Sequence, residues 1–266
     1  MKIAILGAGN IGGALVACLA DGHLFNQNDI IVSNPHPGKL DALKARFPQI
    51  VTTADNRKAV DDADIIVLAV NPWKIGDVLR PLRFSHSQIL VSLAAGVSIT
   101  HIARLAGTEM PFFRAVPSMA LAEHSSLTIL ASRGATEAQN SLIKDVFEEG
   151  GNVMFVRENQ LDVSSALTSS GVAFAMKYVY AAMQAGIELG LEPKDAMKMV
   201  SHSMEGAAEI LLNHDTHPII EIEKVATPGG ITIKGLNQLE MGGFTKTVIK
   251  AVKASAISLV DSDPDE

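Results

Sequence analysis

The chain holds one cysteine, one tryptophan and two tyrosines in 266 residues. A single thiol excludes an internal disulfide framework and any cysteine-rich zinc site. Charge is also scarce. Only 19% of residues are charged, and 22 Lys and Arg face 29 Asp and Glu, a net charge of −7. An acidic surface repels phosphate backbones, which argues against a nucleic-acid partner. Long apolar runs are missing too. The richest stretch, 171–187, is interrupted by Lys177 and Gln184. No segment supplies the roughly 18 uninterrupted apolar residues of a membrane span. Hydrophobic residues still make up 47% of the chain. That is too apolar for a disordered chain and enough for a sizeable core.

The N-terminus carries a possible export signal. Lys2 precedes an apolar stretch, and Leu15-Val16-Ala17-Cys18 has the look of a lipoprotein processing site. The positive region is one lysine, however, and the stretch is broken by Gly7, Gly9, Asn10, Gly12 and Gly13. These glycines fit a different motif, so the chain is expected to be cytoplasmic.

Residues 1–157 alternate short apolar runs with helical patterns. Ile3-Ala4-Ile5-Leu6, Ile30-Ile31-Val32, Ile65–Val70 and Ile89-Leu90-Val91 read as strands, with further strands near 111–116, 126–131 and 152–156. Helices are expected after the first strand, over 37–46 and over 135–147. The run Ile65–Val70 has no polar alternation, as expected of a strand buried on both faces. This order predicts an α/β fold with a mostly parallel, doubly wound sheet. Beyond Arg157 strand signals almost vanish. Residues 158–266 read as an all-helical domain, with helices over 159–190, 193–213, 216–224, 230–241 and 244–260 and an acidic, frayed tail at Asp261–Glu266. The first of these helices carries Val172, Ala175, Met176, Val179, Tyr180, Met183 and Ile187 on one side and mostly alanines on the other. A helix apolar nearly all round is buried by other helices. It reads as an interlocking subunit interface, the alternative being a self-contained bundle.

Gly7-Ala8-Gly9-Asn10-Ile11-Gly12 is a G-x-G-x-x-G that follows the first strand and opens an amphipathic helix. That context makes it a dinucleotide-binding fingerprint. Gly7 permits the tight turn, Gly9 lets a pyrophosphate approach the backbone, and Gly12 allows close helix–sheet packing. The N–H groups of Asn10 and Ile11 and the helix dipole then face the phosphates. Cofactor choice is read at the end of the second strand, where an acid would repel a 2′-phosphate. Here stand Ser33-Asn34-Pro35-His36, then Lys39, and no carboxylate. This favours NADP(H); with no Arg to clamp the phosphate, NAD(H) stays open.

Cys18 falls on the apolar stripe of the first helix and is expected to be a buried structural thiol. His214-x-x-His217 with Asp215 invites a metal reading, but no third ligand stands at a recognisable spacing, so no metal is expected. His202 reads as a helix-surface or interface residue.

With the fingerprint placed, other segments become legible. Leu68-Ala69-Val70-Asn71-Pro72 closes the fourth strand and Ser92-Leu93-Ala94-Ala95-Gly96-Val97 the fifth. Far downstream stands Thr227-Pro228-Gly229-Gly230-Ile231-Thr232-Ile233-Lys234-Gly235-Leu236, then Leu239-Glu240 and Gly242-Gly243-Phe244. Together, in order along nearly the whole chain, these resemble the pyrroline-5-carboxylate reductase family. The resemblance implies an N-terminal domain for NAD(P)H and a helical C-terminal domain that dimerises by interleaving. It implies that Asn56, Ala69–Pro72 (Ala69, Val70, Asn71, Pro72) and Ala94–Ala95 line the cofactor. It also implies that Thr227 and the N–H groups of Ile231, Thr232 and Ile233 bind the carboxylate of a cyclic imine. The Thr232 hydroxyl would then face the ring nitrogen. Elementary chemistry points the same way: a helix N-terminus after Pro228-Gly229-Gly230 offers bare N–H groups without side-chain obstruction. An ordinary capping turn, with Thr227 or Thr232 as the cap, is the alternative reading of those residues.

The chain departs from the family at three places. Asn71 stands where Ala-Val-Lys-Pro is common. Val116-Pro117-Ser118-Met119-Ala120 replaces a Met-Pro-Asn-Thr-Pro segment, and Thr168-Ser169-Ser170-Gly171-Val172 a Ser-Gly-Ser-Gly-Pro turn. A protonated imine arrives already activated, so reduction needs no strong side-chain acid. A β-hydroxyacid dehydrogenase of similar architecture would need a base, for which Lys177 is the candidate. A non-catalytic dinucleotide sensor would need no substrate cradle at all.

Overall fold

The computed structural model describes residues 1–257. The chain divides by packing into one unit of Met1–Ser170 and another of Gly171–Ala254, with the described residues from Ser255 on grouping with the first. The first unit runs β1 (Ile3–Leu6), α1 (Asn10–Asp21), β2 (Ile30–Ser33), α2 (Pro37–Arg46), β3 (Val51–Thr53), α3 (Asn56–Asp61), β4 (Ile65–Leu68), α4 (Ile75–Leu79), β5 (Ile89–Ser92), α5 (Ile99–Ala106), β6 (Phe112–Val116), β7 (Ser126–Arg133), α6 (Glu137–Glu148), β8 (Gly151–Phe155) and α7 (Leu161–Thr168). The eight strands form one sheet in the order β3-β2-β1-β4-β5-β6-β7-β8. All neighbours are parallel except β6 and β7. The expected doubly wound sheet is thus present, with one antiparallel join near its far edge.

The apolar strands explain the two-sided core. β1, β2, β4 and β5 are buried along their whole length. Successive side chains on a strand point to opposite faces. Ile3 and Ile5 therefore join Leu15, Leu19, Val67 and Phe147 on one face, while Ala4 and Leu6 join Ile66, Leu68, Leu79 and Ile102 on the other. Fully burying a side chain of this kind is worth about 1.5–3 kcal/mol, which accounts for an N-terminal half held by its centre.

Arg114 is the exception within the sheet. It sits on β6 at 4% exposure. Its guanidinium pairs with Asp162 at 3.1 Å and with Glu158 at 3.5 Å. Glu158 also accepts the Ile99 N–H at the start of α5, at 2.6 Å. One buried cation thereby ties the segment after β8 to the sheet. Leu161 at the start of α7 packs beside it on Ile129 and Ala131.

The second unit is helical: α8 (Ser170–Glu188), α9 (Pro193–His214), α10 (Pro218–Val225), α11 (Ile231–Met241) and α12, whose described part is Phe244–Ile257. The single helix expected over 159–190 is interrupted at Ser169. The Thr168 hydroxyl turns back onto the Ser164 carbonyl at 3.0 Å, and serine and glycine at 169–171 are poor helix formers. The expected tail at Asp261–Glu266, and the end of the helix expected over 244–260, lie outside the described residues. α8, α10 and α11 contain no fully buried residue. Met176, Leu189 and Leu212 are each more than 60% exposed, at 66%, 86% and 84%.

Cys18 is enclosed by the core as expected. Burial first, then Glu149 and Asp21, push its thiol up to about 12. The native thiol therefore stays protonated where an unfolded one, near 9, ionises. Iodoacetamide at about pH 9 is expected to leave the folded protein unmodified and to alkylate it once urea unfolds the chain. Labelling of the folded protein at the rate of a free thiol would contradict this placement.

Candidate active site

The chain passes from β1 outward to β2 and β3, then returns to lay β4 on the other side of β1. In open α/β sheets this switch opens a crevice beyond the strand ends. Here the C-terminal ends of β1, β2 and β4 border a cleft of about 320 Å³. Gly7 lies at its base, with φ +113° and its N–H donating to the Ser33 carbonyl at 2.8 Å. A Cβ there would overlap the Ala69 carbonyl, and one on Gly12 would run into the Gly7 carbonyl. Both glycines let backbones touch. Gly9 differs: nothing stands within 4 Å of where its Cβ would be. Gly9 is also the N-cap of α1, and no side chain caps that helix. The first intrahelical bond runs from the Gly13 N–H to the Gly9 carbonyl, which leaves the N–H groups of Asn10 and Ile11 for a ligand. Open room and unpaired donors at one point fit the pyrophosphate of a dinucleotide.

The cleft brings together Gly7, Gly9, Ser33, Asn34, Pro35, Asn56, Ala69, Val70 and Asn71. Asn10, Ile11 and Gly12 form the first turn of the helix beside it. Pro72 opens the turn after β4, and Ala94 and Ala95 follow the neighbouring β5; these three do not line the cleft. The two polar residues at the end of β2 are engaged internally. The Ser33 hydroxyl donates to Asn56 Oδ1 at 2.5 Å. Asn34 accepts the Ala8 N–H at 3.3 Å and donates to the His36 carbonyl at 3.0 Å. Sequence reasoning did not place Lys74 here, though it lines the cleft with His36 and Lys39. No local pattern marked it, since its place depends on β4 lying beside β1.

The Pro-Gly-Gly segment forms a turn of its own in the helical unit. The Gly230 N–H donates to the Thr227 carbonyl at 3.0 Å. Gly229 takes φ +72°, a left-handed conformation suited to glycine. A Cβ on Gly230 would stand 2.7 Å from the Thr227 hydroxyl. Gly230 is the N-cap of α11, and no side chain caps it. The capping-turn alternative, with Thr227 or Thr232 as the cap, is therefore not what forms. The N–H groups of Ile231, Thr232 and Ile233 open the helix without a side-chain partner. Thr232 is half-buried and its hydroxyl makes no hydrogen bond among the described residues.

The remaining candidates have local roles. His217 Nδ1 accepts the Ile219 N–H and caps α10. His214 lies 3.6 Å from Glu221, whose carboxyl is held down near 2 chiefly by Lys224 and then by Thr216. Among the described residues no three His, Cys, Asp or Glu side chains are arranged to hold a metal. His202 pairs with Glu205 on the exposed face of α9. The Lys177 ammonium sits 5.0 Å above the Tyr180 ring. Among the described residues no helix is long and apolar enough to cross a membrane.

The model of the family described as pyrroline-5-carboxylate reductase dimerisation matches residues 158–258, and that described as NADP oxidoreductase coenzyme F420-dependent matches residues 2–96. The pyrroline-5-carboxylate reductase of Synechocystis sp. is 30% identical over 257 residues, covering 96% of each chain. The chain belongs to the pyrroline-5-carboxylate reductase family. It is also 31% identical to pyrroline-5-carboxylate reductase 1 of Dictyostelium discoideum, with 96% of this chain matched; it spans about half, 48%, of that protein's length. The fold matches the Plasmodium falciparum pyrroline carboxylate reductase solved with NADP bound, at a TM-score of 0.89, 23% identity and 97% coverage of each chain.

Two of the departures from the family pattern acquire a structural reason. Ser118 is buried, and both its N–H and its hydroxyl donate to the Ser126 hydroxyl, at 3.0 and 3.3 Å. The replaced segment is thus fastened to β7 by short polar side chains. Ser169 forms the break between α7 and α8, and Ser170 opens α8.

The different surroundings of the glycines separate binding from folding. Gly9→Ala is expected to cost at most about 1 kcal/mol of stability while weakening NADPH binding at least about 10-fold. Gly7→Ala is expected to cost more than about 2 kcal/mol, since a side chain there meets both strain and overlap. Thermal unfolding and NADPH titration of the two variants check this. Equal destabilisation by both would contradict it.

Proposed function

We propose that this chain reduces 1-pyrroline-5-carboxylate to L-proline with NADPH, in the cytoplasm, as a homodimer or a multiple of one. Residues 1–157 form the dinucleotide domain in this reading, and residues 158–266 the dimerisation and substrate domain. The carrying observation is the uncapped α11, opened by Gly230 with an unengaged Thr232 hydroxyl in its first turn. When bound, the reduced nicotinamide supplies the hydride that the imine carbon accepts.

The chain's own residues hold the ring. The N–H groups of Ile231, Thr232 and Ile233, with the Thr227 hydroxyl, receive the substrate carboxylate at the positive end of the α11 dipole. This anchors one side of a small rigid ring. The Thr232 hydroxyl then reaches the ring nitrogen and sets the face presented to the hydride. The imine nitrogen arrives protonated, so the charge neutralised on hydride transfer is the substrate's own. No side chain has to give up a proton, which fits a loop built from threonine and backbone N–H groups.

Assembly is supported by the match to a dimerisation family and by α8, apolar on nearly every side yet nowhere fully buried within one chain. A second copy would cover Met176, Leu189 and Leu212, as burial of such side chains favours. Light scattering is expected to give a dimer or a multiple of it. A stable monomer at micromolar concentration would refute the assembly.

Turnover tests the chemistry. Absorbance at 340 nm should fall when NADPH and pyrroline-5-carboxylate are supplied together. Losing one positioning contact commonly costs about 1–3 kcal/mol of transition-state stabilisation. Thr232→Ala is therefore expected to lower kcat/KM about 10- to 100-fold and leave NADPH affinity nearly unchanged. Thr232→Ser should keep more activity than the alanine variant. A Thr232→Ala enzyme equal to wild type would remove the role assigned to this residue.

A further inference from the structure

The chain is acidic overall, yet the cleft at the ends of β1, β2 and β4 is lined by Lys39, Lys74 and His36 and by no carboxylate. The two lysines come from opposite flanks. Lys39 stands in the first turn of α2, which follows β2, and Lys74 in the turn after β4, while β1 runs between those strands. Among the described residues neither ammonium is engaged by an ion pair or hydrogen bond, although lysines elsewhere in the chain are paired, as Lys144 is with Glu148. The two polar residues at the end of β2 are already engaged. The Ser33 hydroxyl proton goes to Asn56, and Asn34 bridges Ala8 and His36. Two ammonium groups, unpaired among the described residues, are the cations this end of the cleft offers an added phosphate.

We infer that Lys74, with Lys39 on the opposite flank of the cleft, is the specificity-determining cation for a phosphomonoester on the adenosine ribose of the cofactor. This rests on the reading of the cleft as a dinucleotide site. The phosphate carries close to two negative charges at neutral pH, and a lysine on each flank neutralises it without direct help from Ser33. Lys74 is exposed, so the contact is a solvent-screened, charge-assisted hydrogen bond, worth about a factor of ten in affinity. An adenosine without the added phosphate makes no use of it.

Calorimetric titration of the full-length protein with adenosine 2′,5′-bisphosphate and with adenosine 5′-monophosphate isolates this contact from turnover. Wild type is expected to bind the bisphosphate about 10-fold more tightly or better. Lys74→Gln should weaken bisphosphate binding about 10-fold and monophosphate binding less than about twofold. Lys74→Arg, which keeps the charge, should stay within about threefold of wild type for both. A Lys74→Gln variant that binds the bisphosphate like wild type, or that loses both nucleotides equally, overturns the assignment and leaves the dinucleotide cleft standing. A wild-type protein that binds neither nucleotide overturns the assignment and the cleft reading together.

Discussion

A helix that starts at a glycine, with no side chain to cap it, leaves its first N–H groups to whatever anion reaches them. α1 and α11 both start this way, at Gly9 and Gly230. Ser98 caps α5, Thr136 caps α6 and Asp55 caps α3, whereas α2, α4, α7 and α9 start without a side-chain cap but behind His36, Lys74, Gln160 and Glu192. What α1 and α11 have in common is a glycine at the N-cap, so no side chain crowds the bare N–H groups there. Each leaves donors that cost stability if they stay unpaired in a closed site and that suit a negatively charged group. The proposed chemistry needs two such groups, a pyrophosphate and a carboxylate.

Positioning these ends falls to the parts that carry no chemistry. The buried β1 and β4 bring Gly7 and Ala69 into backbone contact, and that contact sets the floor of the cleft. Arg114 then holds Glu158 and Asp162 against the sheet, and Glu158 in turn fastens the start of α5. A buried guanidinium is costly unless paired, so this anchor holds only while both acids are in place. It fixes the segment that leads out of the sheet, just before the break at Ser169.

β1, β2, β4 and β5 were legible because their runs are continuous and apolar; β3 was not, because three residues with two threonines make no such run. The glycines were legible from their spacing after a strand; in the structure Gly7 and Gly12 let backbones touch, while Gly9 leaves open room. The helix expected over 159–190 was drawn too long, since a periodic apolar stripe does not register a threonine that turns its hydroxyl back on the preceding turn. Ser33 and Asn34 stand at the end of the second strand where cofactor choice is read, and only coordinates reveal that Asn56, Ala8 and His36 already engage them. Lys74 was missed for the converse reason: its place in the cleft depends on β4 lying beside β1, which no local pattern announces. The same holds for Arg114, whose partners lie 44 and 48 residues away.

A crystal structure of the assembled protein with NADP⁺ and L-proline tests the central claim most directly. The pyrophosphate is expected on the N–H groups at the start of α1, beside Gly9. The proline carboxylate is expected on the N–H groups of Ile231, Thr232 and Ile233, with the ring nitrogen within hydrogen-bond distance of the Thr232 hydroxyl. A carboxylate held elsewhere, with the first turn of α11 left to solvent, would contradict the account.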